Sequence, residues 1–150
     1  MLHILLMMSG SDTIVNILDR GFKESGRLPD IVFSGHVHNY QRFTRQLDYD
    51  GKKYELPYIV VGTGGHSKLH RMQKHGDGDQ IETPFKVPDR DDLVLEQYCD
   101  HKYGFTRVHL TADKLEGKFY SVASPHKLWD NATKKIDDFE LDLQKHGLVA

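Results

Sequence analysis

The stretch DIVFSGHVHNYQR, residues 30–42, decides how the whole chain is read. Pro29 favours an extended approach, and Ile31, Val32 and Phe33 form an apolar run that ends at Gly35. His36 and His38 then follow with one residue between them. On a helix, residues two apart diverge; on a strand or an extended loop they share a face. Because a predicted buried strand precedes the pair, both imidazoles can aim at one point. The C-terminal end of a strand is also where open α/β sheets place ligands. Imidazole suits zinc, iron and manganese. Yet catalytic zinc normally takes three protein ligands and a water, and a two-metal centre needs a bridging group. Two histidines alone are not a site. The chain has ten histidines in 150 residues, so a His-x-His pair can also arise by coincidence and simply bond to loop backbone.

Working outward, the preceding residues predict a helix. Ser11 or Asp12 can cap it, Ile14, Ile17, Leu18 and Phe22 recur at helical spacing, and Gly26 is its expected stop. The opening MLHILLMM reads as a short buried strand. Residues 12–35 thus read as helix, loop and strand, an α/β layering. Downstream, Asp50-Gly51 between two β-rich runs predicts a hairpin. PYIVVG (57–62) is apolar on both faces, predicts a central strand, and runs into the flexible Gly62-Thr63-Gly64-Gly65. Residues 67–101 read as a long polar surface loop. GFTRVHLTADKLEGKFYSV (104–122) predicts a second hairpin turning near Ala112-Asp113, and IDDFELDLQ (136–144) a last, edge-like strand.

Bulk properties bound the function. The length fits one domain, and 38% hydrophobic with 28% charged residues is ordinary for a globular chain. A formal net charge of -2 gives no basic surface for nucleic acid. One cysteine, Cys99, excludes an internal disulfide and a thiolate metal cluster; it reads as structural. The N-terminal apolar run is too short for a membrane span and lacks the features of a signal peptide. The compartment therefore stays unknown. Neither nucleic acid nor membrane is an expected partner. Asn131-Ala132-Thr133 fits a glycosylation acceptor and reads as chance.

SGHVHNYQR (34–42) resembles the last motif of the calcineurin-like metallophosphoesterases, in particular their purple acid phosphatase branch. That family closes its site with Gly-His-x-His after a buried strand, often continued by Asn-Tyr-Glu-Arg. Asn39, Tyr40 and Arg42 fit, and Gln41 stands where Glu is common. PYIVVGTGGH and the 104–122 hairpin also look like the segments that follow in such proteins. The resemblance implies the C-terminal half of a layered αββα sandwich, mostly β hairpins with one N-terminal helix. It also implies a binuclear hydrolase of phosphate esters with two metal ions of the iron, zinc or manganese class, His36 on one and His38 on the other. His3 would be a further metal ligand; His66 and Arg42 would face phosphate.

The same family places Asp-x-His, Gly-Asp-x-x-Asp and Gly-Asn-His earlier in the chain. Only 35 residues precede His36, and none of the three motifs is among them. Residues 1–150 are therefore expected to form a single partial domain, incomplete and inactive alone, with an exposed sheet face open to self-association. The alternatives are a non-catalytic β-rich interaction module with weak or no metal binding, and a mononuclear site of His36, His38 and His66.

Overall fold

A computed structural model describes residues 3–65, 68–72, 80–123, 133–145 and 147–148, with helix side chains from Ile14 onward. The described residues form a mixed α/β fold, mostly strands with one helix. It divides into two compact units: Met1–Pro29 with Arg71–Glu82, and Asp30–His70 with Thr83–Ala150.

The first unit holds helix α1, His3–Ser25. The expected N-terminal strand is overturned, because the helix runs through residues 3–8 and past the expected caps at Ser11 and Asp12. Leu5, Leu6, Met7 and Met8 are strong helix formers with little β-branching around them, so they extend the helix backward. The stop falls where expected, at Gly26 with φ 65. Among the described residues no helix is long and apolar enough to cross a membrane.

The second unit contains two sheets. The first has strand order β1-β3-β2-β5-β4. Its strands are β1 Val32–Ser34, β2 Tyr40–Tyr49, β3 Lys52–Val61, β4 Phe85–Lys86 and β5 Leu93–Cys99. The second has order β6-β7-β8-β9, with β6 Gly104–Leu110, β7 Lys114–Ser121, β8 Lys134–Asp142 and β9 Gly147–Leu148. Asp50 and Gly51 both have positive φ, 50 and 71, as the tight β2–β3 hairpin requires. β3 takes the expected interior position, parallel to β1 and antiparallel to β2.

Three strand expectations are corrected. β1 is a three-residue edge strand with Phe33 45% exposed, not a buried one. Leu93–Cys99, read as loop, forms β5 against β2; Asp91 and Asp92 beside it mask a strand whose Leu95 is fully buried. β8 is not an edge, because β9 pairs with its end at Leu141 and Asp142.

The sheets pack face to face through Tyr40, Ile59 and Cys99 from one and Leu115, Phe119, Phe139 and Leu141 from the other. Tyr40 stacks flat on Phe119 at 3.9 Å between ring centroids. Cys99 is a free thiol within this core, and burial pushes its pKa up, which keeps it an unreactive packing residue. Gly117 allows the close approach of Phe139, whose ring lies where a Cβ on residue 117 would sit.

One polar cluster crosses the core. Arg42 donates through Nε (2.7 Å) and Nη2 (3.0 Å) to the buried Asp137, and the Tyr40 hydroxyl donates to the same carboxylate at 2.7 Å. The Arg42 guanidinium also lies over the Phe139 ring. Burial opposes the Arg42 charge, but the bonds and charge of Asp137 outweigh it and raise the Arg42 pKa. Burial and Asp137 together push the Tyr40 phenol far above its usual range, so Tyr40 is a permanent donor.

Candidate functional site

The two histidines of the opening motif sit where β1 ends and β2 begins, at one end of the first sheet. The backbone there turns twice in quick succession: Val37 N–H donates to Gly35 O at 2.9 Å, and Asn39 N–H to Val37 O at 2.8 Å. His36 takes a left-handed conformation with φ 73. That region costs a side-chain-bearing L-residue about 1–2 kcal/mol, and such strain gathers at functional turns. His36 is exposed and His38 half-buried.

A clamp holds the turn. Asn39 is fully buried; its Nδ2 donates to His70 O at 3.0 Å, and its Oδ1 accepts from Gln41 Nε2 at 2.6 Å. His70 N–H donates to His38 O at 2.9 Å, and His38 N–H donates to His70 Nδ1 at 3.4 Å. The His38 and His70 rings stack 4.7 Å apart at 20°. His38 Nδ1 lies 3.1 Å from Lys68 O. A carbonyl only accepts, so that contact assigns the proton to Nδ1 and the lone pair to Nε2. This is how metal-binding imidazoles are commonly oriented. His70 is the residue that sequence reading passed over as a loop histidine. It is joined to His38 across 32 positions, and no local signal marks that contact. Nearly parallel rings do not direct their lone pairs at a common ion, so His70 positions His38 rather than joining it as a ligand.

The turn leans on the Gly-rich loop after β3. Gly62 N–H donates to Asn39 O at 3.0 Å, and a Cβ on Gly62 would lie only 1.8 Å from Val37 O. Thr63 continues the contact toward β6: its carbonyl accepts Gly104 N–H at 3.2 Å, and its hydroxyl donates to Gly104 O at 2.9 Å.

The other expected site residues are placed differently. His3 opens α1 rather than following a strand, and its side chain lies outside the described residues. His66 also lies outside them, and with it the mononuclear His36, His38 and His66 arrangement. Arg42, expected to face phosphate, instead commits two donors to Asp137 inside the core. Among the described residues no group of three or more His, Cys, Asp or Glu side chains could hold a metal ion. The donors here therefore do not fit a complete two-metal centre, and no catalytic step follows from them alone.

The chain is thus a strand-rich α/β protein with a clamped imidazole pair at a sheet end. It is similar to purple acid phosphatase 15 of Arabidopsis thaliana, with 37% identity over 70 residues, 47% of this chain. The match spans 13% of that relative's length, and it points to phosphatase-like ancestry. No protein-family model matches the chain, and no solved structure matches it.

Proposed function

We propose that this chain carries the closing histidine motif of a binuclear, metal-dependent phosphoric ester hydrolase of the calcineurin-like, purple acid phosphatase type. In this reading its two-sheet unit is the C-terminal part of that family's layered sandwich. His36 and His38 each serve one metal ion of the iron, zinc or manganese class, and the carboxylate and asparagine ligands come from outside the described residues. The observation that carries the reading is the Gly-His-x-His turn itself: His36 is held in a costly left-handed conformation, and His38 is oriented through Nδ1 on a carbonyl. The partial likeness to a purple acid phosphatase supports it. The chain's own contribution is to bind and orient. It fixes two imidazoles at a sheet end, and it keeps Arg42 out of the site by pairing it with Asp137.

Calorimetric titration with zinc and manganese, alongside p-nitrophenyl phosphate turnover, tests this. Weak metal binding that disappears in the His36→Ala/His38→Ala double variant, with no turnover by the chain alone, is the expected result. Identical metal binding by the double variant would remove the ligand role. Metal-dependent turnover by this chain, lost in His36→Ala, would overturn its incompleteness.

A second reading has its own observation. Phe33 on edge strand β1, and Phe105, Val108 and Leu110 on edge strand β6, are 43–65% exposed. Apolar residues on open edges suit contact with another chain, so a non-catalytic interaction module remains the alternative function. Self-association in sedimentation experiments, abolished by Val108→Lys/Leu110→Lys, would favour it.

A further inference from the structure

We propose that the open cleft beside the Gly-rich loop takes a planar, uncharged aromatic group, and that it is the subsite for the leaving group of an aryl phosphate ester. The leaving-group role rests on the phosphoesterase reading above; the aromatic preference rests on the cleft alone.

The cleft measures about 550 Å3 and is lined by Thr63, Gly64, Gly65, Tyr103, Gly104, Phe105, Val122 and Ala123. That volume is within the usual range for small-molecule sites, which run from about 300 to 1,000 Å3. Among the described lining residues no side chain is charged, so the cleft suits a neutral group. One side is bare backbone: beside Gly64 and Gly65 the space a Cβ would occupy is open to 4 Å. The lining thus offers peptide planes and the Tyr103 and Phe105 rings, surfaces on which a flat ring stacks. Phe105 is 48% exposed but braced by its cross-strand neighbour, because it stacks on Tyr120 at 5.6 Å, and Arg107 lies over that same ring. A braced aromatic loses little freedom when a ligand covers it. The floor is stitched in place by both Thr63–Gly104 bonds and by Val122 N–H on Tyr103 O at 2.8 Å.

Its position gives it a role. The loop that forms its floor is the one that touches the histidine turn, through Gly62 N–H on Asn39 O and the Gly62–Val37 approach. The loop 62–65 thus links the histidine turn to the cleft, and the aryl group of an ester whose phosphate is held near His36 and His38 would lie along it.

The test uses the whole chain and amide NMR. Phenyl phosphate and 4-nitrophenol are the aromatic probes, and glycerol 2-phosphate is the aliphatic control. Both aromatic probes should shift the Thr63, Gly64, Gly65 and Gly104 amides, and glycerol 2-phosphate should not. Tyr103→Ala should weaken 4-nitrophenol binding about tenfold, and Ala123→Phe, which fills the cleft and keeps Tyr103, should abolish it. No shift with either aromatic probe, or equal shifts with glycerol 2-phosphate, would overturn the aromatic subsite. Aromatic binding that survives while zinc and manganese fail to bind would overturn the leaving-group role and leave the aromatic site standing.

Discussion

Replacing Gly62 by alanine is the sharpest test of how the histidine turn is held. The new Cβ would stand 1.8 Å from Val37 O and 2.6 Å from Val37 C, whereas real Cβ atoms essentially never approach closer than 3.0 Å. Going from 1.8 to 3.0 Å means the Val37 carbonyl must retreat by about 1.2 Å, because the clash is with backbone rather than with the end of a flexible side chain. Val37 lies between His36 and His38, so both imidazoles move with it. Overpacking of this kind typically costs about 1–3 kcal/mol. The bonds around it, Asn39 N–H to Val37 O and Gly62 N–H to Asn39 O, are worth about 1 kcal/mol each if lost. A loss of about 2–4 kcal/mol in urea unfolding is therefore expected. Gly64→Ala is the control, because its Cβ would meet nothing within 4 Å, and it should cost under about 0.5 kcal/mol. Imidazole NMR provides the second readout: the His38 and His70 ring signals should shift in Gly62→Ala and stay in place in Gly64→Ala. Metal ligation tolerates only about ±0.2 Å in ligand distance, so the proposed metal affinity should fall at least tenfold. Equal stability of the two variants, with unmoved His38 and His70 signals, would refute the clamp.

Other consequences are independent of that contact. His36→Gly should raise stability by up to about 1 kcal/mol in urea unfolding, because glycine tolerates φ 73, while the proposed metal affinity falls; a loss of stability would argue against backbone strain at residue 36. Asp137→Ala leaves the Arg42 charge and the Tyr40 hydroxyl unpartnered in the intersheet core and should cost about 3–5 kcal/mol; a cost below about 1 kcal/mol would show that the cluster is not integral to packing. Asp92 supplies an acid-sensitive increment. The Arg90 hydrogen bonds first, against the opposing effect of burial, and then Arg45 hold it at about 2, below the ordinary 3.8. A depressed carboxyl stabilises the fold above pH 3.8 and stops doing so as pH falls through about 2. With discount for its partial exposure, about 1–2 kcal/mol should vanish across that window and be missing from the pH profile of Asp92→Asn. Gly117→Ala should cost at least about 2 kcal/mol by thermal melting, since its Cβ would stand 2.1 Å from the Phe139 ring; a neutral effect would mean that the ring can move aside.

Local chemistry was legible without coordinates. Asp50-Gly51 dictates its hairpin because few residue pairs accept positive φ at both positions. The apolar run in β3 demanded an interior place, the 104–122 alternation demanded a second hairpin, and Gly26 ended its helix. The His-x-His spacing marked the turn between β1 and β2. Each of these depends on a few neighbouring residues. What depended on distant residues was decided only by the tertiary structure. Leu93–Cys99 is a strand because β2 offers it an edge, not because its own pattern insists. The N-terminal apolar run could satisfy either a strand or a helix, and continuity with the helical segment after it, with no cap at Ser11 or Asp12, made it helical. Arg42 sits beside the motif in sequence, yet Asp137, 95 residues away, draws it into the core. His70 resembled any loop histidine until the fold laid it flat on His38, and Gly62 showed its necessity only when Val37 came to rest against it. Backbone conformation and side-chain alternation are written over spans of a few residues, whereas partners brought together by packing are not encoded at either position alone.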